Sequence, residues 1–220
     1  MGSSRPAPAV VFDFGGVLLH WDPRHLYRKL FQDADAMERF LAEIGFAEWN
    51  LEQDRGRPFA VAVAELSRRF PQHAELIAAY EARWEESIAG PIAGSVEVLA
   101  RLRAAGHALY GLSNWSAETF RRIRPRYAFF DWFLAIVISG EVGLVKPDPR
   151  IFRTLLDRVG RPAAECLFID DGEANIAAAT GLGFQTVLFE SPEQLAMELG
   201  RRRLLRVGAA DRDAKPPLTK

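Results

Sequence analysis

Ala9-Val10-Val11-Phe12-Asp13-Phe14-Gly15-Gly16-Val17-Leu18-Leu19 is apolar except for one carboxylate and two glycines. An apolar run bounded by glycines reads as a buried strand. Asp13 then stands at the strand's carboxyl end, where open α/β sheets place their ligands. A lone carboxylate buried there is costly unless a cation or hydrogen-bond donors compensate it. The alternative is a loop aspartate that caps a turn. Gly15 and Gly16 let the backbone turn sharply and approach a ligand closely.

Outward from this run the chain changes character twice. From about Pro23 to about Ile88 the spacing is helical, with Asp22 as an N-cap and Pro23 in the first turn. Phe59, Val63, Leu66 and Phe70 make one apolar stripe, and Leu76, Ile77 and Tyr80 mark a further helix. No convincing strand interrupts this stretch, and its aromatics (Tyr27, Phe40, Phe46, Trp49) read as core. Gly90-Pro91 ends the block. Strands then alternate with helices: strands at 107–112, 133–138, 166–169 and 184–189, helices at 95–105, 116–123, 150–159, 173–180 and 192–203, and a loop over 139–149. That alternation implies parallel strands with right-handed crossovers. The expected fold is α/β, a three-layer α/β/α Rossmann-like parallel sheet interrupted by a helical cap. The expected division is a core of 9–20 and 90–205, a cap of 21–89, and flexible termini at 1–8 and 206–220.

The 220 residues are 49% hydrophobic, enough for a sizeable core. A formal net charge of -1 gives no global electrostatic case for nucleic acid or an anionic membrane. No apolar stretch approaches the roughly 20 residues that span a bilayer, and Met1–Pro8 has no signal-peptide core. The single cysteine, Cys166, sits in an apolar run and reads as a small core residue. It excludes an internal disulfide framework and fits a reducing, cytoplasmic setting. The expected state is a monomer or homodimer.

Parallel strands put their carboxyl ends along one edge, and four polar sets fall there: Asp13, Ser113-Asn114, Lys146 on a nearby loop, and Asp170-Asp171. Each has an ordinary reading, since Ser113 and Asn114 could cap a helix, Asp170-Asp171-Gly172 makes a good turn, and Lys146 could be a solvated loop lysine. All four at one edge fit anion chemistry better. The three aspartates supply hard oxygen ligands of the kind Mg²⁺ takes together with waters and substrate phosphate. The Ser113 hydroxyl can hold phosphoryl oxygens, and Lys146 gives a fixed positive charge. A carboxylate nucleophile divides one hard displacement into two easier ones through an aspartyl-phosphate.

In order along the chain, these segments resemble the four motifs of the haloacid dehalogenase-like (HAD) superfamily. They are Phe12-Asp13-Phe14-Gly15-Gly16-Val17-Leu18, Leu112-Ser113-Asn114, Lys146-Pro147-Asp148-Pro149, and Phe168-Ile169-Asp170-Asp171-Gly172-Glu173-Ala174-Asn175. The ordered combination is specific where each motif alone is weak. The chain is most similar to small-capped hydrolases that include sugar-1-phosphate phosphatases, and to the phosphatase domain of soluble epoxide hydrolases. The resemblance implies a Mg²⁺-dependent phosphatase acting on small phosphorylated metabolites. It implies Asp13 as nucleophile and metal ligand, and a metal ligand in the Gly15 carbonyl. Ser113, Asn114, Lys146 and Gly16 would hold the phosphoryl group, with Ser113 and Lys146 also catalytic. Asp171 would bind the metal directly, Asp170 would bind it or orient its waters, and Asn175 would brace the fourth motif. The resemblance also allows a cis peptide at Lys146-Pro147.

One position departs from the family pattern. Family phosphatases usually carry a second aspartate two residues after the nucleophile, which protonates the leaving oxygen and then activates water. This chain has Gly15 there. Loss of a positioned acid–base group costs about 10²–10⁴-fold in rate. One account is a phosphatase with easier leaving groups or an acid–base group from elsewhere; His20 and Asp22 are near in sequence, though they read as an exposed histidine and a helix cap. Another is 2-haloacid dehalogenation, where the departing halide needs no proton and Arg24 could grip the carboxylate. A third is a non-catalytic descendant that keeps the site for binding.

Overall fold

The computed structural model describes residues 7–205. The expectations of flexibility at 1–6 and 206–220 lie outside the described residues. In chain order the elements are β1 (Ala9–Phe12), β2 (Leu19–Trp21), α1 (Pro23–Tyr27), α2 (Ala34–Glu43), α3 (Phe46–Asp54), α4 (Phe59–Arg69), α5 (Ala74–Ala82) and β3 (Ile88–Pro91). There follow α6 (Ala93–Ala104), β4 (Leu109–Ser113), α7 (Ala117–Ile123), β5 (Ala135–Ile138), α8 (Ser139–Val142), α9 (Pro149–Val159), β6 (Cys166–Asp170), α10 (Glu173–Gly181), β7 (Gln185–Leu188) and α11 (Pro192–Arg201).

Five strands form one parallel sheet in the order β5-β4-β1-β6-β7. The fold is therefore the expected Rossmann-like α/β arrangement, with β1 at the centre. Every residue of β1 is buried, and its side chains alternate between two apolar cores. Val10 and Phe12 join the core that holds Leu99, Leu102 and Leu195, whereas Ala9 and Val11 join the one that holds Ile151, Phe152 and Leu155. A strand covered on both faces needs apolar residues at every position, which is why this run does not alternate. Cys166 is buried in β6, as expected of a core residue.

Several boundaries differ from the reading of the sequence. The apolar run does not continue as one strand to Leu19: β1 stops at Phe12, the chain turns through Gly15-Gly16, and Leu19 opens β2. Gly90-Pro91 does more than end the helical block, since it belongs to β3, which pairs antiparallel with β2 as a two-stranded neck. The stretch expected as a loop over 139–149 begins with the short helix α8. Phe133 precedes β5 and packs instead edge-on to Phe12 and Phe14.

Helices α1 to α5 lie between the two neck strands. Tyr27, Phe40, Phe46 and Trp49 are buried there, as expected. Phe46 and Tyr80 meet edge to face with centroids 4.9 Å apart, a favoured aromatic geometry. The insertion reaches the sheet-bearing part through polar contacts as well. The Phe59 N–H donates to Glu118 at 3.2 Å, and the Arg122 guanidinium pairs with Glu85 at 2.6 Å.

Candidate active site

The site grows from the ends of β1, β4 and β6 and the loop before α9. Asp13 follows β1 directly and is 7% exposed. Its Oδ1 accepts the Phe14 N–H at 2.7 Å, and its Oδ2 lies 2.9 Å from Lys146 Nζ. The Lys146 ammonium has three hydrogens, and three acceptors surround it: Asp13, Asp170 Oδ2 at 2.6 Å and the Leu112 carbonyl at 3.1 Å. Burial opposes its charge, but the two carboxylates hold its pKa above the ordinary lysine value. Asp13 is pushed the other way. Burial raises its carboxyl to about 7 and the Asp170 charge adds to this, against the pull of Lys146 and the Ser113 hydroxyl.

Asp170 ends β6 and is fully buried. Its Oδ1 accepts from the Gly172 N–H at 2.7 Å and from Asn175 Nδ2 at 2.9 Å. Asp171 is exposed beside it, its carboxyl raised by the desolvating atoms around it and by the charge of Asp170. Asp13, Asp170 and Asp171 each bring an oxygen within 4.8 Å of the others. Three carboxylates face one ammonium, so the ionised cluster carries excess negative charge. An all-oxygen donor set with that excess fits a hard divalent cation.

Two expected ligand-binding residues take other parts. Asn114 accepts the Lys146 N–H at 2.7 Å through Oδ1 and donates to the Lys146 carbonyl at 3.0 Å through Nδ2. Its amide thus clasps the main chain of the lysine, whose peptide to Pro147 is cis. Gly16 donates its N–H to the Leu19 carbonyl at 3.0 Å, so that group is not free for phosphate. Its function is room: with φ at 73°, a Cβ there would stand 2.1 Å from Asp171 Oδ2. His20 is exposed on β2, Asp22 accepts the Arg24 N–H at 2.9 Å as the cap of α1, and Arg24 is paired with Glu38 at 2.6 Å. None of the three lines the cavity beside Gly15.

That cavity, about 60 Å³, is lined by Gly15, Trp21, Asn50, Asp54, Trp84, Asn114 and Trp115. Asp54 is a residue the sequence reading missed. It ends α3, is partly buried, and lies close enough to feel the charges of Asp13 and Lys146. Burial pushes its carboxyl up to about 7, and the Asp13 charge adds to this, against the nearby Ser116 N–H and the pull of Lys146.

The family profile of haloacid dehalogenase-like hydrolases matches residues 7–183. The chain belongs to that family, and is a hydrolase. A sesquiterpene phosphatase of Aspergillus oryzae is 26% identical over 196 residues, which cover 87% of this chain and 94% of that protein. The bifunctional epoxide hydrolase 2 of Sus scrofa is 24% identical over 222 residues, covering 87% of this chain but 38% of the longer protein. Among solved structures, a HAD family enzyme of Bacteroides thetaiotaomicron superposes with a TM-score of 0.68 at 23% identity, over 85% of this chain and 95% of that one. The same enzyme has been solved in complex with magnesium and inorganic phosphate.

Proposed function

We propose that this hydrolase is a Mg²⁺-dependent phosphomonoesterase for small phosphorylated metabolites, with residues 21–89 as the cap over its site. The observation that carries the reading is the cluster of Asp13, Asp170 and Asp171 around a buried Lys146 at the ends of β1 and β6. The phosphatase named among its relatives and the magnesium–phosphate complex of the Bacteroides enzyme support it. Asp13, Asp171 and the Gly15 carbonyl would hold the metal, with Asp170 beside them. Asp170 is already tied to Lys146, Gly172 and Asn175, which suits it to orient waters and the lysine. Bound Mg²⁺ would offset the repulsion between an anionic nucleophile and an anionic phosphate.

The chain's own groups supply the rest. An Asp13 carboxylate oxygen attacks phosphorus, and the ester oxygen departs. Lys146 holds Asp13 and offers charge to the phosphoryl oxygens. The Ser113 hydroxyl, buried at the end of β4 near Asp13, is placed to donate to a phosphoryl oxygen. Water then cleaves the aspartyl-phosphate and regenerates Asp13. A 2-haloacid would bring another carboxylate into a site that already holds three, so the acid pair speaks against dehalogenation.

Phosphate release from a metabolite panel and halide release from 2-haloacids, each with Mg²⁺ and with EDTA, test the reading. Phosphate release that needs Mg²⁺ and vanishes in a folded Asp13→Asn variant is expected. EDTA-resistant halide release, or silence in both screens, would overturn it.

A further inference from the structure

We propose that Asp54 of the cap is the proton donor and acceptor of this site, standing in for the aspartate that family phosphatases carry where this chain has Gly15. The inference rests on the phosphatase reading and deepens it.

Three observations support it. The place is open: a Cβ built on Gly15 meets nothing within 4 Å. Asp54 and Gly15 line the same cavity, and among the residues lining it Asp54 alone is ionisable. Asn50, Asn114 and the three tryptophans there cannot exchange a proton at neutral pH. The residue is also held in place, its carboxyl from its own helix and its main chain from the core. Asn50 Nδ2 donates to Asp54 Oδ2 at 3.1 Å, with Asn50 itself oriented by the Tyr80 hydroxyl at 3.0 Å. From the core, the Ser139 hydroxyl donates to the Asp54 carbonyl at 2.5 Å, and the Ser116 N–H lies near enough to the carboxyl to favour its charged form. The chain leaves α3 through Gly56, whose φ of 102° suits glycine and whose Cβ position lies 3.0 Å from the Gly140 carbonyl. The end of α3 is thus seated on the core at Ser139 and Gly140. A carboxyl raised toward neutrality by its burial is suited to both halves of the reaction.

In the first half, an Asp13 oxygen bonds to phosphorus, the bond from phosphorus to the ester oxygen breaks, and the Asp54 proton passes to that oxygen to give the free alcohol. In the second, Asp54 takes a proton from water as the water oxygen bonds to phosphorus. The bond from phosphorus to the Asp13 oxygen breaks, releasing inorganic phosphate. Asp13 is again a carboxylate and Asp54 is again protonated, so the net change is one ester and one water to one alcohol and one phosphate.

The test compares the parent with Asp54→Asn and Asp54→Ser on alkyl phosphates and on aryl phosphates of graded leaving-group acidity. Thermal unfolding shows which variant is folded. For the folded variant, turnover of alkyl phosphates should fall about 10²–10⁴-fold. Formation of the aspartyl-phosphate from nitrophenyl phosphate should fall far less, and the phosphorylated protein should accumulate by intact mass. Gly15→Asp in the Asp54→Asn background should restore alkyl-phosphate turnover. An active parent whose folded variants keep its alkyl-phosphate rate, or lose the same factor on every leaving group with no accumulated phosphoprotein, overturns the role of Asp54 alone. A folded parent that releases phosphate from nothing overturns the phosphatase reading, and the proton role with it.

Discussion

Gly16→Ala separates the stability of the fold from the integrity of the site. The added methyl would lie 2.1 Å from Asp171 Oδ2, 2.8 Å from its Cγ and 3.3 Å from Oδ1. Ordinary contact begins near 3.4 Å, so the carboxylate must retreat by more than about 1 Å. Asp171 is exposed, and can swing into solvent without opening a hole in the core. The direct cost is the left-handed backbone at φ 73°, about 1–2 kcal/mol for a residue with a Cβ. For a chain of this size that lowers Tm by roughly 2–8 °C. The functional cost is larger, because the cluster loses an acidic member. Mg²⁺ affinity should fall at least 10–100-fold, the range seen when groups supporting a metal ligand are removed. At a Mg²⁺ concentration about 100 times the parent's Kd, the metal stabilises the parent by about 2.7 kcal/mol, whereas a variant weakened about 100-fold gains only about 0.4 kcal/mol. Thermal unfolding with Mg²⁺ and with EDTA, alongside calorimetric titration, reads both effects. A Gly16→Ala protein that binds Mg²⁺ as tightly as the parent would refute the packing of Asp171 over Gly16 and its part in the site.

Two further outcomes follow from the buried charges. Lys146→Met leaves Asp13 and Asp170 buried without their shared cation, which should cost about 3–5 kcal/mol. Chemical denaturation in EDTA should show that loss and Mg²⁺ should restore part of it; unchanged stability in EDTA would contradict the ion pairing. For Asp54, the folded carboxyl is raised from 3.8 to about 7, so the folded state binds the proton more tightly than the unfolded chain. That contribution is fully present below about pH 4 and is lost as pH rises toward 7. In EDTA, Asp54→Asn should therefore gain Tm relative to the parent across that window, by up to about 10 °C, with no further gain above it. A gap independent of pH would show that the carboxyl is not raised.

The four polar segments were legible in the sequence because a strand buried on both faces has no place for a charge except its ends. Asp13 follows such a strand, Ser113 and Asp170 end one, and Lys146 reaches the end of one from its loop, so apolar runs gave their positions away. What the strands did not give was the work of each polar atom. Asn114 next to Ser113 suggested a ligand contact, yet its amide binds the Lys146 backbone, a pairing made across 32 residues of chain. Asp54 was hidden for a different reason. It lies in the run Glu52-Gln53-Asp54-Arg55-Gly56-Arg57, which has the composition of a solvated helix end. Only the seating of α3 on α8 turns that end inward. Its one local signal was the pair Asn50 and Asp54, one helical turn apart beside Trp49. The neck was illegible because β2 and β3 are short and mark no pattern of their own.

The placement of Asp54 bears on why Gly15 is tolerable at all. A second aspartate on the motif I turn would put a further carboxylate beside Asp13, Asp170 and Asp171, which together face a single lysine. With the proposed proton-transfer group on α3, the motif I turn carries no further carboxylate of its own. The separation also ties chemistry to the position of the cap. The fixed charges belong to the sheet and its loops, but Asp54 is held to the core through Ser139, at the start of α8. Ser139 also accepts the Trp115 N–H at 2.8 Å, so one hydroxyl joins the loop after β4 to the end of α3. A cap lifted from the core would leave nucleophile, lysine and metal ligands in place and remove the proton donor with it.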